Sequence, residues 1–142
     1  MHGNSIEIDD DGNIFISNRT MSEIIKFNRQ SGELIWRLGG PMNDFTFIND
    51  PLNGPNKQHD ARRLENGNIM IFDNGDQRDP PFTRVVEYEI DETELTATLI
   101  WEYSHPNGYI SLNQGCAQRL ENENTLISWG GVTAHGQIIT EV

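Results

Sequence analysis

Two histidines of the 142-residue chain, His2 and His59, are the side chains best suited to nucleophilic chemistry. A neutral imidazole nitrogen attacks and leaves readily near neutral pH, and it also carries protons. Asn4 and Arg19 accompany His2 in the same segment. Amide and guanidinium groups donate hydrogen bonds to oxyanions such as sulfate or carboxylate. Two histidines, one asparagine and one arginine are therefore sufficient to hold such an anion beside a nucleophile.

Each of these four side chains also has a purely structural interpretation. His59 could line a channel or be held by hydrogen bonds, and His2 could be only the residue that follows a start methionine. Asn4 could belong to a turn or a strand end, and Arg19 could be a solvated charge on a hairpin. Both interpretations stay open at the level of the residues alone.

Several other motifs favour structural roles. His105-Pro106-Asn107-Gly108 is typical of a turn, and His135 falls in a loop bounded by glycines. Asp9-Asp10-Asp11 is followed at once by Gly12-Asn13 and lacks the twelve-residue calcium pattern, so it predicts a hairpin tip. Cys116 is alone, which excludes an internal disulfide and disfavours a zinc site.

The composition of the chain predicts the elements that must position these side chains. Ile, Val and Thr total 29 residues, whereas Ala and Leu total 13. Gly, Pro, Asn and Asp total 44, which is a heavy load of turn-forming residues. No window carries the apolar pattern of a helix over three turns. These features predict an all-β chain.

The sequence repeats itself in three segments, at residues 2–17, 58–73 and 114–128. Each segment reads as a strand, a tight turn and a second strand, which is the strongest short-range signal for a hairpin. The turns align with periods of 55 and 56 residues and are Gly12-Asn13, Gly67-Asn68 and Glu123-Asn124. A hairpin repeated at this period is typical of β-propeller blades.

Two further strands follow each of the first two hairpins, at 24–27 and 33–36 and at 85–88 and 98–101. The fourth strands end in Trp36 and Trp101, which we expect to pack between or within blades. The predicted blades are 2–40, 58–103 and 114–142, the last of them incomplete, and residues 39–57 and 73–83 are predicted to be long loops rich in Pro, Asn and Asp. Because closing a propeller takes about four blades or more, we expect a fragment of two to three blades. A short chain that closes by oligomerising is the alternative.

A propeller would bring the candidate residues together. Neighbouring blades place their innermost strands around one channel, so His2, Asn4 and His59 would converge across a long stretch of sequence. Counted from the starts of the three repeated segments, His59 stands opposite Gly3 and Gly115, which is one residue out of phase with His2. A shift of one residue reverses the face of a strand. We therefore expect a β-bulge at one of the two histidines.

The charge of the chain argues against some partners. The formal net charge is −12, and only 2 of the 10 basic residues are lysines. Nucleic acids and anionic membrane surfaces are bound by clustered Lys and Arg, so neither is expected as a partner. The sequence shows neither an apolar run long enough to cross a membrane nor a signal peptide.

Five motifs in order resemble those of the bacterial-type arylsulfotransferases. They are His2-x-Asn4-Ser5, Ser17-x-Arg19, Ile35-Trp36-Arg37-Leu38-Gly39-Gly40, Gln58-His59-Asp60, and Phe72-Asp73-Asn74-Gly75 followed by Arg84-Val85-Val86. The resemblance extends from residue 2 to about residue 103, and the remainder matches only as another blade.

The resemblance implies a six-bladed propeller that moves a sulfuryl group from an aryl sulfate to a phenol. It implies no nucleotide donor and no cofactor, a sulfated histidine intermediate, and export to the periplasm or outside the cell. The catalytic residues that it implies are His59, His2 and Arg19. The substrate-binding residues that it implies are Asn4, Asn74 and Arg84. A propeller that binds a ligand or a protein without catalysis remains the alternative function.

Overall fold

The computed structural model describes residues 2–132 and 138–142, and every regular element within them is a β-strand. The strands are β1 (Gly3–Ile8), β2 (Ile14–Asn18), β3 (Glu23–Phe27), β4 (Leu34–Gly39), β5 (Thr46–Ile48), β6 (His59–Arg63), β7 (Ile69–Asp73), β8 (Arg84–Asp91), β9 (Thr96–Tyr103), β10 (Cys116–Arg119), β11 (Thr125–Trp129) and β12 (Ile138–Glu141). The prediction of an all-β chain is confirmed. No helix in this described part of the chain is long and apolar enough to span a membrane.

The strands form three consecutive sheets. The first has the order β1-β2-β3-β4, the second β5-β9-β8-β7-β6, and the third β10-β11-β12. Strands β1, β6 and β10 lie at the edges of their sheets, and β6 contacts both β1 and β10. Three sheets that meet at the edge strands β1, β6 and β10 form an open arc of propeller blades. The predicted fold class is confirmed.

The predicted hairpin turns are present at the tips of the first strand pairs. Gly12 and Gly67 have φ angles of 80° and 86°, which a side chain would disfavour. The acidic triplet that precedes Gly12 lies at the first of these tips, as predicted. Its first carboxylate, that of Asp9, lies 2.7 Å from the Lys26 ammonium of β3.

One strand lies where the sequence predicts a loop. β5 falls within residues 39–57 and pairs in parallel with β9, through Thr46 opposite Thr96. It extends the second sheet to five strands, whereas the prediction was four. The blade bounds 2–40, 58–103 and 114–142 stay a prediction.

β7, in the second sheet, is buried on both faces. Ile69 and Ile71 of β7 belong to an apolar cluster shared with the first sheet. The alternate residues of β7, Met70 and Phe72, belong to a second cluster, which includes Trp129 of the third sheet. Because successive side chains of a strand point to opposite faces, β7 packs against both neighbours. This packing fixes the three sheets relative to one another.

The two tryptophans that close the predicted fourth strands pack as expected. Trp36 is 2% exposed, and its ring lies edge-on to Phe45 with 5.4 Å between centroids. Trp101 is partly buried against the second cluster, and the Arg119 guanidinium of the third sheet lies 5.2 Å from its ring centroid. The prediction that both side chains are packing residues is confirmed.

Candidate active site

β-Bulges at two neighbouring first strands bring the histidines together. The register of β1 shifts between Gly3 and Ser5, and that of β6 shifts between His59 and Arg62. The ring of His2 then lies edge-on to the ring of His59, with 6.0 Å between centroids. The expected convergence is confirmed, and a bulge accompanies both histidines where one was expected.

Asp60 holds the second bulge in place. Its φ angle of 50° lies in the left-handed region, which Asp adopts more readily than most residues. Its carboxylate accepts a hydrogen bond from the Ala117 N–H of β10 at 2.8 Å and lies 2.8 Å from the Arg62 Nε. The bulge that aims His59 is therefore anchored to the third sheet.

Both nitrogens of the His59 ring contact polar groups of the protein. Nδ1 lies 2.7 Å from the Asn74 Oδ1, just after β7. Nε2 lies 3.3 Å from the backbone N–H of Gln114, which precedes β10. The side chain is only 8% exposed. These contacts orient the ring while leaving the Nε2 bond long and weak.

The surroundings of His59 favour its neutral form. Burial lowers the pKa of His59 below its ordinary value of 6.5, and the positive charges of Arg19 and protonated His2 lower it further. The hydrogen bond to Asn74 and the charge of Asp76 act in the opposite direction without reversing the shift. A neutral imidazole near pH 7 is the form that acts as a nucleophile.

Arg19 reaches across the sheets toward this pair. Its Nη2 donates to the Asp76 carboxylate at 2.9 Å and to the Leu112 carbonyl at 2.9 Å. Asn4 donates from Nδ2 to the Gln58 carbonyl, next to His59, at 2.7 Å. Both side chains are thus held by residues from a different part of the sequence.

Several polar atoms at this place have no partner. Six buried side-chain nitrogen or oxygen atoms lack a hydrogen bond in the described part of the chain. Four of the six belong to the candidate site and are Asn4 Oδ1, Arg19 Nε, Gln58 Oε1 and Asp76 Oδ1. Because buried polar atoms are normally paired, these four unpaired atoms distinguish the candidate site from the rest of the described chain.

The contacts of Asn74 and Arg84 differ from the expectation that these residues bind substrate. Asn74 is fully buried, and its side-chain atoms all bond to the protein. Arg84 is also fully buried and pairs with Asp50 at 2.9 Å and with Asp73 at 3.0 Å. Glu102 accepts a further bond from its guanidinium at 2.8 Å. Neither side chain has a group free for a ligand, because each stabilises the structure beneath the site.

His105 does not join the site. His105 stacks on Tyr109 with 4.2 Å between ring centroids and lies edge-on to Trp129 at 5.5 Å. Its carbonyl accepts from the Gly108 N–H at 2.8 Å, so the predicted turn is confirmed. His135 lies outside the described residues. Within the described ranges, no group of three or more metal-binding side chains is present.

The sequence prediction missed two residues of the site, Gln114 and Asp76. The repeat alignment pairs Gln114 with Gln58, so its position before a first strand was visible although its role was not. Asp76 carries no such signal, since it lies in a long loop outside the repeated segment. Its place beside Arg19 depends on how that loop folds.

The site combines a buried histidine whose surroundings favour the neutral ring, a second histidine and an arginine at the meeting point of propeller blades. The chain matches the family described as Arylsulfotransferase (ASST) over residues 1–142. It therefore belongs to the arylsulfotransferase family.

Two relatives carry the name arylsulfate sulfotransferase AssT. The protein from Escherichia coli O6:H1 is 36% identical over 84 residues, which cover 52% of this chain and 14% of the relative. The protein from Lelliottia amnigena is 38% identical over 60 residues, which cover 37% of this chain and 10% of the relative. The chain thus spans a small part of the length of both relatives.

A solved structure supports the fold. The structure of the Dos1 propeller superposes with a TM-score of 0.54 at 8% sequence identity, covering 98% of this chain and 32% of that one. At this identity the likeness concerns the propeller fold alone.

Proposed function

We propose that the protein transfers a sulfuryl group from an aryl sulfate to a phenol, without a nucleotide donor, through a sulfated His59. The rings of His2 and His59 have 6.0 Å between their centroids and lie beside the Arg19 guanidinium, and the proposal depends on this arrangement. Membership of the arylsulfotransferase family and the names of the two relatives support it. Small aryl sulfates and phenols are accordingly the proposed partners.

In the first half-reaction, the lone pair of His59 Nε2 attacks the sulfur of the aryl sulfate. A nitrogen–sulfur bond forms, the bond from sulfur to the aryl oxygen breaks, and its electron pair leaves with the phenolate. Arg19 and Asn4 donate hydrogen bonds to the sulfonyl oxygens, whose charge they stabilise. His2, when protonated, gives the departing phenolate its proton.

The second half-reaction reverses these steps with a different phenol. The acceptor oxygen attacks sulfur, the bond from sulfur to His59 Nε2 breaks, and His2 takes the phenolic proton. Once sulfur occupies Nε2, the Gln114 N–H is free to donate to a sulfonyl oxygen instead. His59 returns to its neutral form and His2 to its protonated form, so the cycle balances.

The test uses the whole protein and phenyl sulfate without an acceptor. The reaction is quenched, and the position of the sulfuryl group is mapped by peptide mass spectrometry, while released phenol is recorded. We expect one sulfated peptide, which contains His59. His59→Asn keeps a polar side chain of similar volume but lacks the nucleophile, so it should form no adduct and release no phenol.

His105→Asn is the matched control, because His105 packs in a turn outside the site. It should retain both the adduct and phenol release. Near-normal turnover of His59→Asn, or an adduct on another residue, would refute the proposed nucleophile. Binding of phenyl sulfate without phenol release would favour the non-catalytic propeller instead.

Export to the periplasm or outside the cell belongs to the same proposal, since the family resemblance implies it. Fractionation of cells that produce the whole protein tests this point. Recovery of the protein in the cytoplasmic fraction would contradict it.

A further inference from the structure

We propose that Asn74 is a positioning residue, which fixes the ring proton of His59 on Nδ1 and so leaves the Nε2 lone pair for the sulfuryl group. This inference rests on the proposed function, in which His59 is the nucleophile. It gives Asn74 a role that differs from substrate binding. The argument depends on three hydrogen bonds of one amide.

The orientation of the Asn74 amide is determined by its neighbours. Its Nδ2 lies 3.0 Å from the Ser111 carbonyl and 2.9 Å from the Gln114 carbonyl. Carbonyl oxygens only accept hydrogen bonds, so both positions require the amide nitrogen, which has two protons to donate. The amide oxygen must therefore point the other way, toward His59.

The orientation of this amide decides the tautomer of His59. The Asn74 Oδ1 can only accept, and it lies 2.7 Å from His59 Nδ1. The ring must then donate from Nδ1, and in the neutral ring the lone pair lies on Nε2. The Gln114 N–H at 3.3 Å agrees with this assignment, because it faces Nε2 as a donor faces an acceptor.

The backbone around Asn74 keeps the amide in place. The Asn74 carbonyl accepts from the Thr83 hydroxyl, and that hydroxyl accepts from the Ser111 N–H at 2.9 Å. Asn74, Thr83 and Ser111 are all buried. The segment that carries the Ser111 carbonyl is thereby held beside the Asn74 amide that donates to it.

An amide suits this position better than a carboxylate does. After the attack, the sulfated ring carries positive charge and a proton on Nδ1, and the bond to the Asn74 oxygen strengthens. A carboxylate would also stabilise the charged, sulfated ring. It would, however, favour the protonated form of His59 before the attack, in which Nε2 has no lone pair. The other charged groups that act on His59 are Arg19, His2, Asp76 and Asp60.

The experiment identifies the ring nitrogen that carries the sulfuryl group. The whole protein is treated with phenyl sulfate, and the sulfated His59 peptide is compared with synthetic Nε2 and Nδ1 isomers. We expect the Nε2 isomer alone. This measurement needs no substitution, so a loss of folding in a variant cannot obscure it.

Two variants of Asn74 test whether its amide determines which ring nitrogen of His59 carries the sulfuryl group. Asn74→Ala leaves Nδ1 without an acceptor, and we expect phenol release to slow by about tenfold to a hundredfold, with the Nδ1 isomer now present. Asn74→Asp should shift the acid limb of the pH–rate profile to higher pH, because a carboxylate favours the charged ring.

Asn68→Ala is the control, since Asn68 is a buried amide of the same sheet that bonds to Glu87. It should change neither the isomer nor the pH profile. The Nδ1 isomer in the unsubstituted protein would overturn the role of Asn74 while leaving His59 as the nucleophile. An unchanged isomer and pH profile in both Asn74 variants would overturn it too. Absence of any adduct on His59 would refute the proposed function, and this inference with it.

Discussion

The two histidines of the site lie in different surroundings. His59 is buried and bonded at both ring nitrogens, whereas His2 is exposed. Burial favours a neutral ring, and exposure allows a ring to exchange protons with water. This difference supports the proposed division of labour, in which His59 is the nucleophile and His2 is the proton carrier.

The pH dependence of the first half-reaction is a prediction at this scale. The pKa of His59 is lowered from 6.5, so the ring is neutral above its folded pKa, and the proposed nucleophile is lost as the pH falls through that value. We expect the acid limb of phenol release to have its midpoint below 6.5. Arg19→Gln removes a nearby positive charge, which should raise the pKa of His59 and move the midpoint upward.

Stopped-flow phenol release over a pH series provides the measurement. Arg29→Gln is the control, because Arg29 is an exposed arginine of the first sheet's outer hairpin. It should leave the midpoint where it is. A midpoint at or above the ordinary histidine value in the unsubstituted protein would contradict the prediction.

At the residue scale, the sequence could predict which side chains meet but not all of their partners. The proximity of His2 and His59 follows from the repeat, because equivalent first strands are neighbours in a propeller. The contact between Asn74 and the segment before β10 depends on a loop without a repeat. The contact between Arg84 and Asp50 could not be predicted either, because Asp50 lies in a segment that the sequence predicts as a loop.

At the element scale, β8 is held by a buried charge cluster. Arg84, at its start, bonds to Asp50 and Asp73, and all three are fully or almost fully buried. Removal of one partner from a buried cluster leaves the others as uncompensated charges. We expect Arg84→Gln to lower the free energy of unfolding by about 3–5 kcal/mol.

Chemical denaturation of the whole protein measures this difference. Arg29→Gln is the control, because Arg29 is an exposed arginine in the turn before β4. A substitution at an exposed surface position changes the free energy of unfolding by about 0.5 kcal/mol or less, so this variant should change little. Equal losses of stability in the two variants would contradict the assignment of Arg84 as a structural residue.

The elements themselves were predictable where local chemistry determines them. The hairpins at Gly12 and Gly67 follow from turn residues between alternating apolar positions. β5 was not predictable, because three residues that pair in parallel with a distant strand leave no periodic pattern. The bulge at His59 could be anticipated from the phase of the repeat, whereas the anchoring contact between Asp60 and Ala117 could not.

At the scale of the whole molecule, the outer faces of the arc present apolar side chains to solvent. Ile6 and Ile8 of the first sheet are 67% and 60% exposed, and Ile139 of the third sheet is 64% exposed. Exposed apolar faces and unpaired edges favour association. We expect the 142-residue chain, when produced by itself, to associate as its concentration rises.

Sedimentation velocity over a range of concentrations measures this behaviour. Paired substitutions Ile6→Lys and Ile8→Lys should weaken the association, because they place charge on the exposed face. Gln30→Lys, at an exposed polar position in the turn before β4 of the same sheet, is the control for added charge alone. A monomer at all concentrations, with cooperative unfolding, would contradict the prediction.

The candidate site draws on all three sheets, and this has a consequence for engineering. Repeat proteins are often rebuilt by swapping single repeats, because each repeat contacts only its neighbours. Here a swap of the second sheet would remove His59 together with its amide partner Asn74. A swap of the third would remove the Gln114 carbonyl and N–H that orient that amide and face the ring. A cassette that carries these contacts to another propeller therefore needs at least three consecutive repeats, three times the unit in which the fold itself is assembled.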